Sequence, residues 1–332
     1  MSDLQLSLLN DFQRDFPLTS TPFDAISRRL GLEVEDVLDS LRRLTREGVI
    51  SRVGAVFRPN RIGVSTLAAM AVPQARLAGV AQQVSAHPEV NHNYEREHRF
   101  NLWFVATAAN AAHLGRVLHD IEQQAGLPMM RLPMVQDYHI DLGFDLRRSV
   151  ALAHQPRQKA VPQSALELDG LDYALVATIQ DGLPLVARPY AQVAAAIGTS
   201  EADVLSRLEK LLEHDIIKRL GIIVRHHELG FRANAMVVWD IPDEQADEVG
   251  RCIGASGLVN LCYQRPRRLP DWPYNLFCMI HGKDRDAVLE HHRHVRDQCG
   301  LTDFSCEVLF SKQRFKQTGA RYVEPPPRKE AA

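Results

Sequence analysis

The sequence predicts an α+β chain made of one unit written twice: a winged helix-turn-helix followed by a ferredoxin-like βαββαβ sandwich, and then the same pair again, forming a pseudo-dimer. Three observations carry this. At an offset of 167, Pro22 aligns with Pro189, Gly31 with Gly198, Asp36-Val37-Leu38 with Asp203-Val204-Leu205, Leu41 with Leu208, Leu44 with Leu211, Ile50 with Ile217, Arg52 with Arg219 and Gly54 with Gly221. Helical periodicity over the first 50 residues gives way to alternating strand and helix patterns up to about Gly143. The string Val90-Asn91 with Tyr94-x-Arg96 returns as Val259-Asn260 with Tyr263-x-Arg265, and Asn101-Leu102 returns as Asn275-Leu276.

The expected domains follow in order. Residues 1–63 form the first winged helix-turn-helix. Leu6, Leu8, Leu9 and Phe12 mark an opening helix that Pro17 ends. Pro22 to Leu30 is a second helix stopped by Gly31, and Glu33 to Glu47 a third, with Val37, Leu38, Leu41 and Leu44 on one stripe. Ser51 to Arg58 is expected as a β-hairpin wing around Pro59-Asn60. Residues 64–146 form the first sandwich: a strand Thr66–Val72, a helix Ala75–Ala86, a strand Leu102–Ala108, a helix Ala111–Gly126 and a last strand near Met129–Ile140. Residues 147–170 lack a period and are expected as a linker. Residues 171–230 and 231–322 repeat the two domains, and 323–332 is a tail.

Charge is balanced, with a formal net charge of −2, which gives no overall pull toward nucleic acid. The third helix of each helical unit opens on acids, Glu33, Glu35 and Asp36 in one and Glu201 and Asp203 in the other. These suit the helix dipole and repel phosphate, so DNA contact is not expected. The five cysteines form no CxxC and are odd in number, so reduced thiols are expected. No apolar run of about 20 residues exists to span a membrane. The opening Asp3, Asp11, Arg14 and Asp15 do not suit a secretory signal, and a cytoplasmic chain is expected.

Chemistry concentrates in two segments. In an extended chain His92, Tyr94, Arg96 and His98 share one face, with Arg99, Asn101 and Trp103 just beyond. The second copy offers Tyr263, Arg265, Arg267, Arg268, Trp272, Tyr274 and Asn275, around an insertion from Pro266 to Pro273. Taken singly, each residue fits a structural role. Together, arginines interleaved with aromatics suit a large planar polyanion, since guanidinium pairs bidentately with carboxylates and rings cover the plane. No protein metal site is expected: His291-His292-x-His294 reads as a solvated helix face and lacks zinc-site spacing, although one axial His would serve a tetrapyrrole iron. No GxGxxG, P-loop or GxSxG occurs.

The domain order resembles the Lrp/AsnC regulators, with their winged helix-turn-helix and effector-type sandwich. Longer strings are more specific. Asn91-His-Asn-Tyr-Glu-Arg-Glu-His-Arg-Phe-Asn-Leu-Trp-Phe104 and Tyr138-His-Ile-Asp-Leu-Gly-Phe144 resemble one subunit type of the sirohaem decarboxylase family. Tyr263 to Phe277, Lys312-Gln-Arg-Phe-Lys316 and Gly319-Ala-Arg-Tyr322 resemble the other. The fused arrangement looks like the NirDL form of haem d1 biosynthesis.

That resemblance implies a carboxy-lyase that removes the C12 and C18 acetate carboxyls of sirohaem to give 12,18-didecarboxysirohaem. It implies no added cofactor, since the iron arrives inside the substrate. On this reading His98 is the acid, assisted by His139. Arg96 and Arg99 grip carboxylates. Tyr94, Asn101, Trp103, Tyr263, Arg265, Arg267, Arg268, Trp272, Asn275 and Arg314 bind the substrate. The second half has Arg267 where His98 would stand, so the halves are expected to differ. Partner decarboxylase subunits and a homo-oligomer both stay open, as does the competing reading of a transcription regulator sensing an amino acid or haem.

Overall fold

The computed structural model describes residues 3–140, 144–145, 150–151, 166–225 and 232–323. The first helical unit is α1 (Asp3–Asp11), α2 (Pro22–Leu30) and α3 (Val34–Arg46). Pro22 starts α2 with its fixed φ, and Gly31 closes it in the left-handed region. The copy is α6 (Gly170–Ile179), α7 (Pro189–Ile197) and α8 (Glu201–Glu213). Asp169 and Asp172 form a capping box at the start of α6.

The expected hairpin wing is instead one strand, β1 (Ile50–Phe57), paired antiparallel with its own copy, β9 (Ile217–Val224), with Gly54 opposite Gly221. Val53, Ala55 and Phe57 of one strand and Leu220, Ile222 and Val224 of the other enter a single core with the helices of both units. A local hairpin would leave that apolar face half covered. The glycine pair also lets other backbone cross: Leu183 N–H donates to the Val53 carbonyl at 2.7 Å and Ile222 N–H to the Phe12 carbonyl at 2.8 Å.

The first sandwich runs β2 (Val64–Met70), a 3-10 turn Gln74–Arg76, α4 (Leu77–Ala86), β3 (Val90–Arg96), β4 (Leu102–Ala108), α5 (Ala111–Ala125), β5 (Met129–Pro133) and β6 (Gln136–Ile140). A two-stranded ladder of β7 (Phe144–Asp145) and β8 (Val150–Ala151) reaches into the expected linker, most of which lies outside the described residues, as does most of the tail. The second sandwich runs β10 (Ala233–Trp239), α9 (Ala246–Ala255), β11 (Leu261–Gln264), β12 (Leu276–Gly282), α10 (Arg285–Gln298) and β13 (Cys306–Gln317).

The halves exchange strands. The sheet order is β5-β2-β4-β3-β13-β10-β12-β11-β6. Residues 306–310 of β13 pair with β10 of their own half, and 311–317 pair with β3 of the other. In the first half the same crossing takes two strands, because the expected single last strand is broken: β5 stays on β2, while β6 leaves to pair with β11. Two cores lie between strands and helices, one per half. The two ends of this sheet, one per half, face each other as two sheets joined through β13, and a third core lies between them: Leu67, Ala69, Trp103, Met130 and Leu132 meet Met236, Val238, Trp272, Phe277, Met279 and Leu309. Arg58 ties the helical layer to this sandwich by pairing with both Asp215 and Asp137.

Two expectations about side chains change. Cys252 and Cys299 are joined in a disulfide that staples α9 to α10, which leaves Cys262, Cys278 and Cys306 as the free thiols. The helix has brought its cysteine beside a neighbour 47 residues away, which no local spacing shows. The trio at 291–294 is not a solvated face throughout: His292 is buried, its ring 5.2 Å from Trp239 and its Nε2 3.7 Å from Cys306 Sγ. No helix among the described residues is long and apolar enough to cross a membrane.

Candidate active site between the two sheets

Strand β3 separates its side chains as a pleat should. Asn93 turns to the helix side, where its amide donates to the Ala81 carbonyl and to Ser85 Oγ, each at 3.0 Å. His92, Tyr94 and Arg96 take the opposite face, toward the second half. The His92 and Tyr94 rings stack at 6.3 Å, and the Arg96 guanidinium lies 5.7 Å from the Tyr94 centroid. Arg314, on the neighbouring strand β13 opposite Tyr94, adds a second positive charge beside the phenol.

Arg96 reaches across the interface. Its Nη1 donates to the Leu309 carbonyl at 3.0 Å, and its Nη2 lies 3.9 Å from Met279 Sδ. Arg265 does the same in reverse: it donates to the Leu132 carbonyl of the first half and sits over Tyr263 at 4.5 Å. Arg96 is 6% exposed and Arg265 7%. Neither meets a carboxylate among the described residues, and the Nε of each has no hydrogen-bond partner. Burial pulls the Arg96 guanidinium down to about 10 and lowers Arg265 as well. A buried, uncompensated cation is costly, and a pair of them related by pseudo-symmetry marks a place prepared for anions.

Near Arg96 stands His281 of β12, half-buried, with Nδ1 2.8 Å from Asn260 Oδ1. Burial first, and the Arg96 charge second, push His281 down to about 4, and burial with Arg52 does the same to His92. Sequence reasoning passed over His281. Its signal was there: Phe277-x-Met279-x-His281 alternates on the face that carries Arg96's contacts.

His98 sits in the turn after β3, not on its face. Its Nδ1 accepts the Phe100 N–H at 2.9 Å, and its Nε2 is 3.0 Å from Glu307 Oε2. Tyr274 donates to the other Glu307 oxygen at 2.7 Å. The ring stacks on Phe100 and meets the edge of Trp272.

A family model described as an AsnC-like ligand binding domain matches residues 61–139 and 228–316, and one described as a siroheme decarboxylase NirDL-like HTH domain matches 6–50 and 172–218. The siroheme decarboxylase NirDL subunit of Paracoccus denitrificans is 43% identical over 98% of both chains. The chain belongs to the siroheme decarboxylase NirDL family. The siroheme decarboxylase NirD subunit of Pseudomonas aeruginosa, 49% identical, aligns 99% of its length with 45% of this chain, as expected where one chain holds two subunit-like halves. The crystal structure of a siroheme decarboxylase NirDL in co-complex with an iron-uroporphyrin III analogue superposes with a TM-score of 0.68 at 27% identity, covering 97% of this chain and 94% of that one.

Against this family the remaining expected site residues divide. Tyr94, Arg96, Arg314, Tyr263 and Arg265 gather between the sheets. Others do different work. Both ring nitrogens of His98 are engaged within the protein, by the Phe100 N–H and by Glu307. His139 lies on β6 opposite Cys262, its Cβ against Gly254 of α9, on the helix side of the sheet. Arg99 is 56% exposed and pairs with Asp271 at 2.8 Å. Asn101 clamps Val72 through its N–H and carbonyl at 2.9 and 2.8 Å, and Asn275 clamps Ile241 in the same way at 3.0 and 2.8 Å. These are latches between a strand end and the loop after its neighbour, not ligand contacts. Trp103 and Trp272 are fully buried 5.2 Å apart and fill the inter-sheet core. Arg267 pairs with Asp240 at 2.9 Å, and Arg268 donates to the Arg131 carbonyl at the surface. The insertion thus serves to bring Trp272 inward.

Proposed function

We propose that this chain removes the carboxyl groups of the C12 and C18 acetates of sirohaem as CO2, giving 12,18-didecarboxysirohaem on the way to haem d1. The observation that carries the reading is the pair of buried arginines, Arg96 and Arg265, that face the inter-sheet layer without a carboxylate among the described residues. A macrocycle edged with carboxylates would satisfy both at once. Tyr94 and Tyr263, each half-buried beside its arginine, offer flat surface for the ring.

The chemistry divides between the two kinds of wall. An arginine on the reacting carboxylate would stabilise its charge and oppose loss of CO2, so the arginines hold the neighbouring carboxylates. The reacting acetate is placed against apolar surface such as Met279, where desolvation favours the neutral product. Breaking the C–C bond leaves an electron pair on the methylene carbon, which the macrocycle delocalises. A positioned acid then supplies the third C–H bond of the new methyl group. No separate cofactor enters this scheme, and the iron belongs to the substrate.

The helix-turn-helix units act as scaffold in this reading. On α3, Arg42 is neutralised by Glu35 and Asp39, and at α8 Arg207 is held by Asp203, Asp169 and Asp172, so these cations are already paired. The chain works in the cytoplasm with a tetrapyrrole as its small-molecule partner, and its two halves replace a pair of separate subunits. The test is anaerobic incubation of the purified chain with sirohaem and mass spectrometry of the extracted tetrapyrrole. Loss of two CO2 is the expected result. Unchanged sirohaem with a shifted Soret band would replace the enzyme with a tetrapyrrole carrier.

A further inference from the structure

The helical layer sends one cation toward the tetrapyrrole site. Arg52 stands on β1, just before the crossing of Gly54 and Gly221. Three contacts place its guanidinium beyond the far end of the face that carries Tyr94 and Arg96. His92, the last residue of that face, pairs with Gln317 of β13. The next residue, Thr318, donates its N–H to the Asn91 carbonyl at 2.8 Å. At Gly319 the bare backbone lies against Arg52, where an added Cβ would stand 2.9 Å from Nη1. The Arg52 charge accordingly acts on His92 and, after burial, helps to hold it down at about 4.

Arg52 is held in the same way as Arg96 and Arg265. It is half-buried, and burial lowers its guanidinium. Its Nη2 donates to the Ala55 carbonyl of its own strand at 3.1 Å, and its Nε is closed off with no hydrogen-bond partner. Asp181, whose charge bears on it, pairs with Arg321 at 3.3 Å instead. A structural prop would use its donors on what it supports. The segment that covers Arg52 is fastened by another residue: Gln180 accepts the Tyr322 N–H at 3.0 Å and donates to the Val323 carbonyl at 2.9 Å. The counterpart in the second copy, Arg219, is more enclosed. It is 8% exposed, donates to the Gln13 carbonyl at 2.7 Å, and has Arg14 at the place where Arg52 has Asp181.

We propose that Arg52 is a substrate-binding residue contributed by the helical layer, and that it holds a propionate carboxylate at the edge of the macrocycle opposite the edge held by Arg96. This rests on the decarboxylase reading above. Arg96 and His92 lie four residues apart on β3, about 13 Å at about 3.3 Å per residue. A macrocycle with carboxylate arms on opposite pyrroles covers such a span. The ring then lies along β3, with Arg96 at one edge, Tyr94 and the facing Arg314 in the middle, and Arg52 at the other edge. Propionate suits this place for two reasons. It is one methylene longer than acetate, so it reaches past the end of the sheet to β1. It also survives the reaction, so a guanidinium on it does not oppose loss of CO2. One side chain of the scaffold layer thus sets which way round the ring lies, through a charge-assisted pair in a largely desolvated place.

The experiment is a Soret titration of wild type, Arg52→Met and Arg52→Lys with two probes. One is iron-uroporphyrin III. The other is iron-coproporphyrin III, which keeps the propionates and has methyl groups in place of the acetates. Urea unfolding of each ligand-free protein runs beside it. The expected result for Arg52→Met is a loss of affinity of about tenfold or more, equal for the two probes, with an unfolding midpoint no lower than that of wild type. Arg52→Lys, which keeps the charge without the fork, should lie between the two. Affinity within about threefold of wild type for both probes in Arg52→Met overturns the proposal. Where Arg52→Met does not fold, wild-type affinity in Arg52→Lys overturns it. A loss confined to iron-uroporphyrin III also overturns it, since the arm would then be an acetate. A lowered midpoint with the same loss of affinity in both variants makes Arg52 a prop for residues 319–322 and overturns it as well. Wild-type protein that binds both porphyrins but releases no CO2 from sirohaem refutes the decarboxylase reading instead, and the titrations still decide the role of Arg52.

Discussion

Replacing Arg96 by Met should make the protein more stable and less able to bind its substrate. Burial brings the Arg96 guanidinium from 12.5 to about 10. At about 1.4 kcal/mol per unit, keeping this charge inside costs on the order of 3 kcal/mol. Met retains most of the volume. It forfeits the hydrogen bond to the Leu309 carbonyl, worth about 1 kcal/mol, and the cation–π contact with Tyr94, worth about 1 kcal/mol. The balance is a gain of about 1 kcal/mol, or a rise in Tm of roughly 2 °C in a chain of this size. Binding moves the other way. Truncating one partner of a desolvated charge pair costs about 2–5 kcal/mol, so sirohaem affinity should fall about 30-fold or more. Urea and thermal unfolding without ligand, beside a Soret titration, measure both quantities. A variant less stable than wild type by more than about 1 kcal/mol at unchanged m would show that the guanidinium is compensated in the free protein. Wild-type affinity would show that no carboxylate binds there. Either result refutes the argument.

Asn275→Ala should cost about 2–3 kcal/mol of stability through the lost clamp on Ile241 and Asp243, while turnover per folded molecule stays within about twofold; a specific loss of sirohaem affinity would return Asn275 to the binding site. His92 and His281 both lie near 4 in the folded chain, below their ordinary 6.5. The unfolded state thus takes up protons first on acidification, so their contribution is complete above pH 6.5 and is lost toward pH 4, at roughly 3 kcal/mol each. Comparing urea midpoints at pH 7 and pH 4.5 for wild type and His281→Asn checks this, since the variant should lose less stability between them. Gly221→Ala would place a Cβ 2.0 Å from the Gln13 carbonyl oxygen, between backbones that cannot both stay; destabilisation of about 4 kcal/mol or more is expected. Gly79→Ala on α4, with nothing within 4 Å, is the control and should gain up to about 1 kcal/mol.

The arrangement of domains was legible because periodicity and duplication are written along the chain. Pro22 with Gly31, and Pro189 with Gly198, fixed the ends of α2 and α7 by backbone restriction alone. The face shared by His92, Tyr94 and Arg96 followed from strand alternation. Pairing partners were not legible. Ser51 to Arg58 carries the alternation of a strand, yet whether it folds on itself or joins its copy depends on a core assembled from both units. The break between β5 and β6 was hidden for the same reason, because β6 finds its partner in the other half.

The candidate site shows the same division. Residue type and spacing singled out Arg96, Arg265 and their tyrosines, because a strand face is a local property. They could not separate these from Arg99, Arg267 and Arg268, which lie nearer the surface, the first two paired with Asp271 and Asp240. Nor could they show that Asn101 and Asn275 repeat because they latch equivalent loops, or that His98 has both nitrogens occupied. By itself the sequence determined which segments become strands and helices, that the unit occurs twice, and that cationic and aromatic groups share two strands. The tertiary structure alone decided which cations remain uncompensated and that His281 stands beside Arg96. Charge compensation depends on distances across the interface between the halves, and those are set by packing rather than by position along the chain.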